Sequence, residues 1–404
     1  MSAKDSGVQL YAFRPFVFAK RHPKTQTPSK SPLSRSGHRI ACDEGNMYSF
    51  GGYNPYIPED EELGEEVHDW QASEPLFKEL WKYNFCTSNW TKLLCADDMP
   101  NELASNAVIL KGTTMMVYGG TGVPFGTTCS NQLYVCNLNE KIKMNAIQAS
   151  GELPPKQYGQ ALVLDGGFLY TVGGTTGYEY SADIHRLNLK TGQWEEVHVC
   201  RGGRGEPDGR YRHELAFDGS RIFVMGGGTA TDVYGFEKIP AFNLSTGQWE
   251  TLVTSGDPAL SPPGVPAARR CHGCVQLPSD GIQHSAVFIS GGYDGSNIFD
   301  DLWKLDLNTL QWQHLSHCKL PRAVYFHSTA LTPAGQLFSF GGIADMGNGE
   351  FDRTAEVHST WVCIPKLSEM CWEALVHYNQ FIHNVPSANL LNCGIPAKFL
   401  SRIG

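Results

Sequence analysis

Five short segments collect the side chains of this chain that are best suited to hold an anion. They are RSGHR (Arg35 to Arg39), KQYGQ (Lys156 to Gln160), RYRHE (Arg210 to Glu214), ARRCHG (Ala268 to Gly273) and PRAVYFHS (Pro321 to Ser328). Each carries Arg or Lys, and four carry His. A guanidinium offers two parallel N–H donors that match a carboxylate. Gathered around one opening, Arg210, Arg212, Arg269, Arg270 and Arg322 with Tyr158, Tyr211 and Tyr325 would form a basic, aromatic-lined mouth. An anionic ligand fits such a mouth, and the terminal carboxylate of a peptide is the natural candidate. The plainer reading is that these residues satisfy turn backbone and pair with nearby acids.

Signals for covalent or metal chemistry are weak by comparison. CHGC (Cys271 to Cys274) has the spacing of half a zinc or redox site, but no second pair at suitable spacing accompanies it. GGTGVPFG (Gly119 to Gly126) lacks the dinucleotide fingerprint, and no helix is expected after it. No nucleophile–base pair and no paired carboxylates stand in a signature. The expectation is a non-catalytic protein with no catalytic residue, no metal and no cofactor.

The elements that must position the five segments repeat. Apolar runs end in a glycine pair six times: MYSFGG, MMVYGG, LYTVGG, IFVMGG, VFISGG and LFSFGG, with the first glycine at 51, 119, 173, 226, 291 and 341. A second apolar strand follows each pair (LWKYNF, QLYVCNL, IHRLNL, PAFNL, LWKLDL, TWVCI), and in four units a tryptophan strand follows that, at Trp90, Trp194, Trp249 and Trp312. Unit two has Met144 instead. Each unit reads as four antiparallel strands, with glycine where neighbouring backbones converge. One twisted sheet cannot bury both faces alone, so the units must pack around a ring. The five basic segments then lead into first strands on one face. The N-terminal VQLYAFRPFVF (Val8 to Phe18) is the candidate closing strand for unit six, which lacks a tryptophan strand.

This grammar resembles the kelch repeat over roughly residues 36 to 364. The resemblance implies an all-β, kelch-type β-propeller, with six blades from the repeat count, filling residues 1–365. Sialidase-like propellers would carry Asp-box turns, which are absent from the sequence.

Composition narrows the partners. Of 404 residues, 41% are apolar and 18% charged, with 43 glycines and 23 prolines that favour tight turns. A net charge of -9 disfavours nucleic acid, which needs a basic surface. No apolar run of 18 residues exists, so no membrane span and no membrane partner is expected. The first residues make a poor signal peptide, so the expected location is the cytoplasm, extending to the nucleus, with the 12 cysteines reduced. PEDEELGEEVHDW (Pro58 to Trp70) is an acidic insertion on the mouth's side, read as a solvated loop.

After residue 365 the pattern changes period. Leu367, Cys371 and Leu375 stand at i, i+4 and i+8, and so do Ile395, Phe399 and Ile403 behind Pro396. These are two short amphipathic helices in residues 366–404, expected to expose apolar faces to a partner groove. Leu367-x-x-x-Cys371-x-x-x-Leu375 resembles the BC box that holds elongin C with elongin B, apart from Lys366 where a small residue or proline usually stands. Ile395-Pro396-x-x-Phe399-x-x-x-Ile403 resembles the cullin-2 box; the cullin-5 variant would want proline at Lys398. The two boxes in order behind a kelch ring resemble the kelch substrate receptors of cullin-2 ubiquitin ligases. That resemblance implies partners in elongin C, elongin B, cullin-2 and a RING-box protein. It also implies recognition of C-terminal degrons, often glycine-ending, at the propeller mouth. The chain's own Gly404 would then be a ligand for another copy. Two other readings fit a kelch ring: a scaffold that regulates a signalling protein such as a phosphatase in a stress-kinase pathway, and an actin-binding protein.

Overall fold

The computed structural model describes residues 10–22, 31–57, 73–95, 98–279, 285–347, 349–379 and 381–403. The acidic insertion, Val8 and Gly404 lie outside these residues. Among the described residues the repeats become antiparallel sheets, one after another along the chain. The first holds Arg39–Cys42, Asn46–Phe50, Glu79–Asn84 and Asn89–Cys95 in sequence order. The second holds Ala107–Lys111, Thr114–Tyr118, Leu133–Asn137 and the two-residue strand Asn145–Ala146. The third runs Ala161–Asp165, Phe168–Thr175, Tyr180–Asn188 and Gln193–His198, with Ser150–Gly151 added in parallel at its outer edge. The fourth begins at Glu214–Phe217 and the fifth at Gly273–Leu277. The first strands of neighbouring sheets touch in a closed circuit, sixth against first. This is a kelch-type β-propeller.

Sheet-to-sheet packing supplies the core. Phe223, Met225 and Ile239 of the fourth sheet pack on Val287, Ile289 and Trp312 of the fifth. Trp90, Trp194 and Trp312 are buried. Met144 is buried where the second sheet has no tryptophan. The glycine pair is required by space as well as torsion. Gly173 has φ +62°, and a Cβ there would meet His213 Cε1 at 2.7 Å and the Arg210 carbonyl at 3.1 Å.

The sixth sheet pairs Ser328–Leu331, Gln336–Phe340 and Val357–Trp361, and the N-terminus supplies its fourth strand. That strand is Ala19–Arg21, with Ala19 opposite Ser359, and not the segment from Val8 to Phe18. Two features displace it. Pro15 has no N–H to give a ladder, and Phe16 has φ +59°. Phe16 and Phe18 pack into the core between the fifth and sixth sheets. A three-stranded sheet, Val324–Tyr325, Ile343–Gly347 and Glu350–Arg353, rises from the sixth unit.

The C-terminal segment forms α1 (Leu367–Tyr378), α2 (Ser387–Asn392) and α3 (Ala397–Leu400). The apolar face of its second stripe is not left uncovered. Ile382 and Leu390 are buried with Cys86 of the first sheet's outer turn, beside Trp372, Leu375 and Ile395, and Phe399 is buried as well. Phe399 stacks on Trp372 at 5.1 Å, with the Arg402 guanidinium 4.7 Å from the same ring. Arg402 bonds Glu369 Oε2 at 2.5 Å and also Glu44, and its carbonyl accepts from Asn84 Nδ2 at 3.0 Å. The expectation of a freely exposed second stripe is therefore corrected. Phe399 is spent inside the chain, Ile395 and Ile403 are half-buried, and Pro396 is exposed. The first stripe differs: Leu367 is 73% exposed, Cys371 is exposed and Leu375 is half-buried.

Candidate functional site

The four residues before each first strand share one register. They are Arg35–His38, Leu103–Asn106, Gln157–Gln160, Arg210–His213, Arg269–His272 and Val324–His327. Each position does a different job.

The first position is structural where it is arginine. Nη1 of Arg35, Arg210 and Arg269 donates to the carbonyl of Gly51, Gly226 and Gly291 at 2.9–3.1 Å. Nε of each donates to the carbonyl two residues upstream. Each guanidinium lies about 4 Å from an aromatic centroid, of Phe77, Tyr234 and Phe299 respectively. Arg269 also forms a two-pronged pair with Asp301, whose shorter contact is 2.5 Å. Arg210 and Arg269 were expected to face a ligand; both are buried and hold the turn together. Arg322 also departs from expectation. It stands two residues ahead of this register and is exposed, with Nη1 3.8 Å from Met346 Sδ.

In the first, third and fourth sheets the fourth position clips the sheet to the one before it. Nε2 of His38 bonds the Phe340 carbonyl and Nε2 of His213 the Val172 carbonyl, each at 3.1 Å; Gln160 Nε2 donates to the Tyr118 carbonyl at 3.0 Å. Burial holds all four histidines in the neutral form. His213 and His327 are pulled down to about 3, and His38 and His272 lie well below the ordinary value.

The third position lines the axis. Gly37, Ser105, Gly159, Arg212, Cys271 and Phe326 all have φ between 53° and 69°. Their backbones form a closed hydrogen-bonded ring: Gly37 N–H to Phe326 O, Phe326 to Cys271, Cys271 to Arg212, Arg212 to Gly159, Gly159 to Ser105, and Ser105 to Gly37, at 2.8–3.2 Å. The Arg212 side chain reaches across this ring. Its Nη2 donates to Ser105 Oγ, its guanidinium carbon lies 4.7 Å from the Phe326 ring, and a Cβ on Gly37 would sit 3.3 Å from Nη2. One residue deeper, Arg39 Nη1 bonds Glu214 Oε1 at 2.7 Å across the channel. That pair is neutral as a unit. Among the described residues Arg212 has no ion-pair partner and its buried Nε has no hydrogen-bond partner; burial pulls its pKa to about 10, with Glu214 opposing the shift, so it stays charged at pH 7.

The second position faces the mouth, and each residue there bridges the residue after its own glycine pair. It carries Tyr158, Tyr211, Arg270 and Tyr325. Tyr158 and Tyr211 meet edge-to-face at 6.2 Å, and Tyr325 stacks on Tyr293 at 5.2 Å. Arg270 Nη1 is buried without a partner among the described residues. Burial raises the Tyr158, Tyr211 and Tyr325 pKa values, Tyr211 to about 12, so the phenols remain donors.

Of the expected mouth residues, Arg212, Arg270, Tyr158, Tyr211 and Tyr325 thus come together, while Arg210, Arg269 and Arg322 do not. Arg353 was missed. It reaches the rim from the late hairpin, with Nε donating to Ser36 Oγ at 3.0 Å and its guanidinium carbon 5.2 Å from the Tyr53 ring. Its sequence signal is faint, since it follows a glycine-rich turn and lies in no lead-in segment. Arg212 did have a signal: it is the one cation in a column otherwise Gly, Ser, Cys and Phe.

A model of the KLHDC2/KLHL20/DRC7 Kelch-repeats domain matches residues 8–227, 64–281 and 201–378. The chain belongs to the kelch-repeat family. It is 42% identical to Kelch domain-containing protein 10 of Xenopus tropicalis over 394 residues, covering 96% of this chain and 91% of that one. The Homo sapiens protein of the same name is 41% identical over 374 residues, covering 93% and 80%. Kelch domain-containing protein 2 of Bos taurus is 23% identical over 401 residues, covering 92% and 90%. In this kelch propeller the mouth and the C-terminal helices lie on opposite faces: α1 to α3 pack by the turns at Glu44–Gly45 and Asn84–Cys86. A cavity of about 770 Å³ on that far side is lined by Tyr11, Arg21, Tyr83, Trp361, Trp372 and Glu373.

Proposed function

We propose that this kelch protein is a substrate receptor that captures the C-terminus of a target peptide in the propeller mouth and presents it to a ubiquitin ligase. The observation that carries the reading is Arg212, a charged guanidinium held on the axis with no ion-pair partner among the described residues, together with Arg270 Nη1, which is unpartnered among the same residues. A buried charge left unpaired is costly, and a ligand carboxylate offsets that cost. The backbone ring and the Arg39–Glu214 pair close the channel below. A chain entering the mouth therefore has to end there, which favours a terminus over an internal segment. A glycine end brings no side chain into the crowding around Tyr211 and Phe326.

On the opposite face, Leu367 and Cys371 offer the exposed stripe through which elongin C, with elongin B, would dock. Cullin-2 and its RING-box protein would follow along the segment from Ile395 to Ile403. Docking through Phe399 requires that ring to leave Trp372, so the cullin contact is proposed to use Pro396 and the half-buried Ile395 first.

Binding of a labelled glycine-ending peptide to the purified chain tests the mouth. The free carboxylate should bind, its amide should not, and Arg270→Glu should abolish binding. Equal binding of the amide would remove the carboxylate reading. Co-purification of elongin C tests the other face: Leu367→Asp with Cys371→Asp should lose it, and an intact chain that never retains elongin C would remove the ligase reading.

A further inference from the structure

We propose that His198, Cys200 and Glu206 form a divalent-metal site of the zinc class, on the loop that leads into the fourth sheet. It stands apart from the mouth chemistry, and it departs from the expectation of no metal drawn from the sequence. The three residues offer one nitrogen, one sulfur and one oxygen, the donor set zinc prefers. Their ligand atoms all lie within 4.8 Å of one another, and all three residues are partly buried. With bonds of about 2.0–2.3 Å, a zinc ion needs only small side-chain adjustments to touch all three.

Each donor is already aimed. His198 ends the strand Gln193–His198, and its ring is wedged 5.5 Å from Phe242 and 6.4 Å, edge-on, from Trp249. Glu206 accepts the Arg201 and Gly203 backbone N–H groups on Oε2, each at 2.7 Å, which turns Oε1 toward His198 Nε2 at 2.9 Å. The Cys200 N–H is anchored on Asp183 Oδ1 at 2.9 Å, and its Sγ lies 3.6 Å from the Ala182 carbonyl. Such outer hydrogen bonds fix ligand orientation in metal sites. The fourth position is left for water. CHGC could not reveal this site, because the ligands are spaced H-x-C and then six residues on, and only the loop's fold-back closes them. The loop runs directly into Arg210–His213, so an ion would brace the segment that carries Arg212.

Cobalt(II) titration of the full chain, with Cys371→Ser and Cys393→Ser to remove the exposed thiols, tests the site. We expect one equivalent bound, with thiolate-to-cobalt charge-transfer absorption and the visible bands of a tetrahedral ion, displaced by zinc. Cys200→Ser should lose the charge-transfer band, and Glu206→Gln should weaken binding by at least about tenfold. An unchanged band in Cys200→Ser, or no band in the parent chain, would overturn the proposal. If Cys200→Ser does not fold, Glu206→Gln decides, because it keeps the loop's backbone hydrogen bonds through its amide oxygen. Wild-type cobalt affinity in that variant would then overturn it.

Discussion

Replacing Arg212 with methionine separates binding from stability, and the structure sets the sign of each. The guanidinium is buried on the axis with a pKa of about 10, more than two pH units below an ordinary arginine. At 1.36 kcal/mol for each unit, burial costs the charged form about 3 kcal/mol. Methionine removes that penalty and fills the space with a flexible thioether. It also removes the hydrogen bond to Ser105, worth about 1 kcal/mol, and the contact with Phe326, worth about 1 kcal/mol. The variant should therefore be as stable as the parent, or more stable by about 1 kcal/mol. Binding should move the other way. Truncating a buried, hydrogen-bonded charge contact costs about 2–5 kcal/mol, at least roughly 30-fold in affinity. Urea melts and fluorescence anisotropy with a glycine-ending peptide measure the two. A loss of stability of about 3 kcal/mol or more would make Arg212 a strut and not a ligand-binding group. Peptide affinity within threefold of the parent would refute the assignment outright.

Acid should destabilise this propeller early. His38, His213, His272 and His327 stay neutral when folded but take up a proton below about pH 6.5 when unfolded, so their stability contribution is complete above that pH and falls as pH drops toward about 3. Four such sites give a limiting slope of about 5 kcal/mol per pH unit. His213→Gln, which copies Gln160 of the third sheet, should lower that slope by about a quarter; a melting temperature flat between pH 7 and pH 5 would contradict this. Phe399→Ala should cost about 3–5 kcal/mol locally, freeing α3 to proteolysis near residue 400 while the main melting transition stays in place. Equal protease resistance would show that the Trp372 stack does not hold the segment. Gly173→Ala combines a left-handed φ with a 2.7 Å approach to His213, whereas Gly167→Ala has φ +89° and open space. The first should lose about 3 kcal/mol and the second about 1–2 kcal/mol, and equal losses would leave the close packing of the glycine pair without energetic weight.

The sequence by itself determined the repeat, because glycine pairs, apolar alternation and tryptophan strands are local requirements of each sheet. It determined the change to helical period after residue 365 for the same reason. It also placed cations and phenols at the lead-in segments. What it could not assign was the job of each position within them. Arg210, Arg212, Arg269 and Arg270 are one residue type within two short stretches, yet two are turn struts and two face the ligand side. That division depends on the carbonyls of Gly226 and Gly291, on Asp301, and on the left-handed backbone at Arg212. All of these lie in other strands or in the torsions that ring closure imposes. Long-range pairing likewise decided that Ala19–Arg21 closes the last sheet, that Arg353 reaches the rim, and that His198, Cys200 and Glu206 meet. The C-terminal stripe follows the same logic. Its period was visible in Ile395, Phe399 and Ile403, but which surface the stripe covers was settled by Trp372, Glu369 and the first sheet, which only the folded chain brings to it.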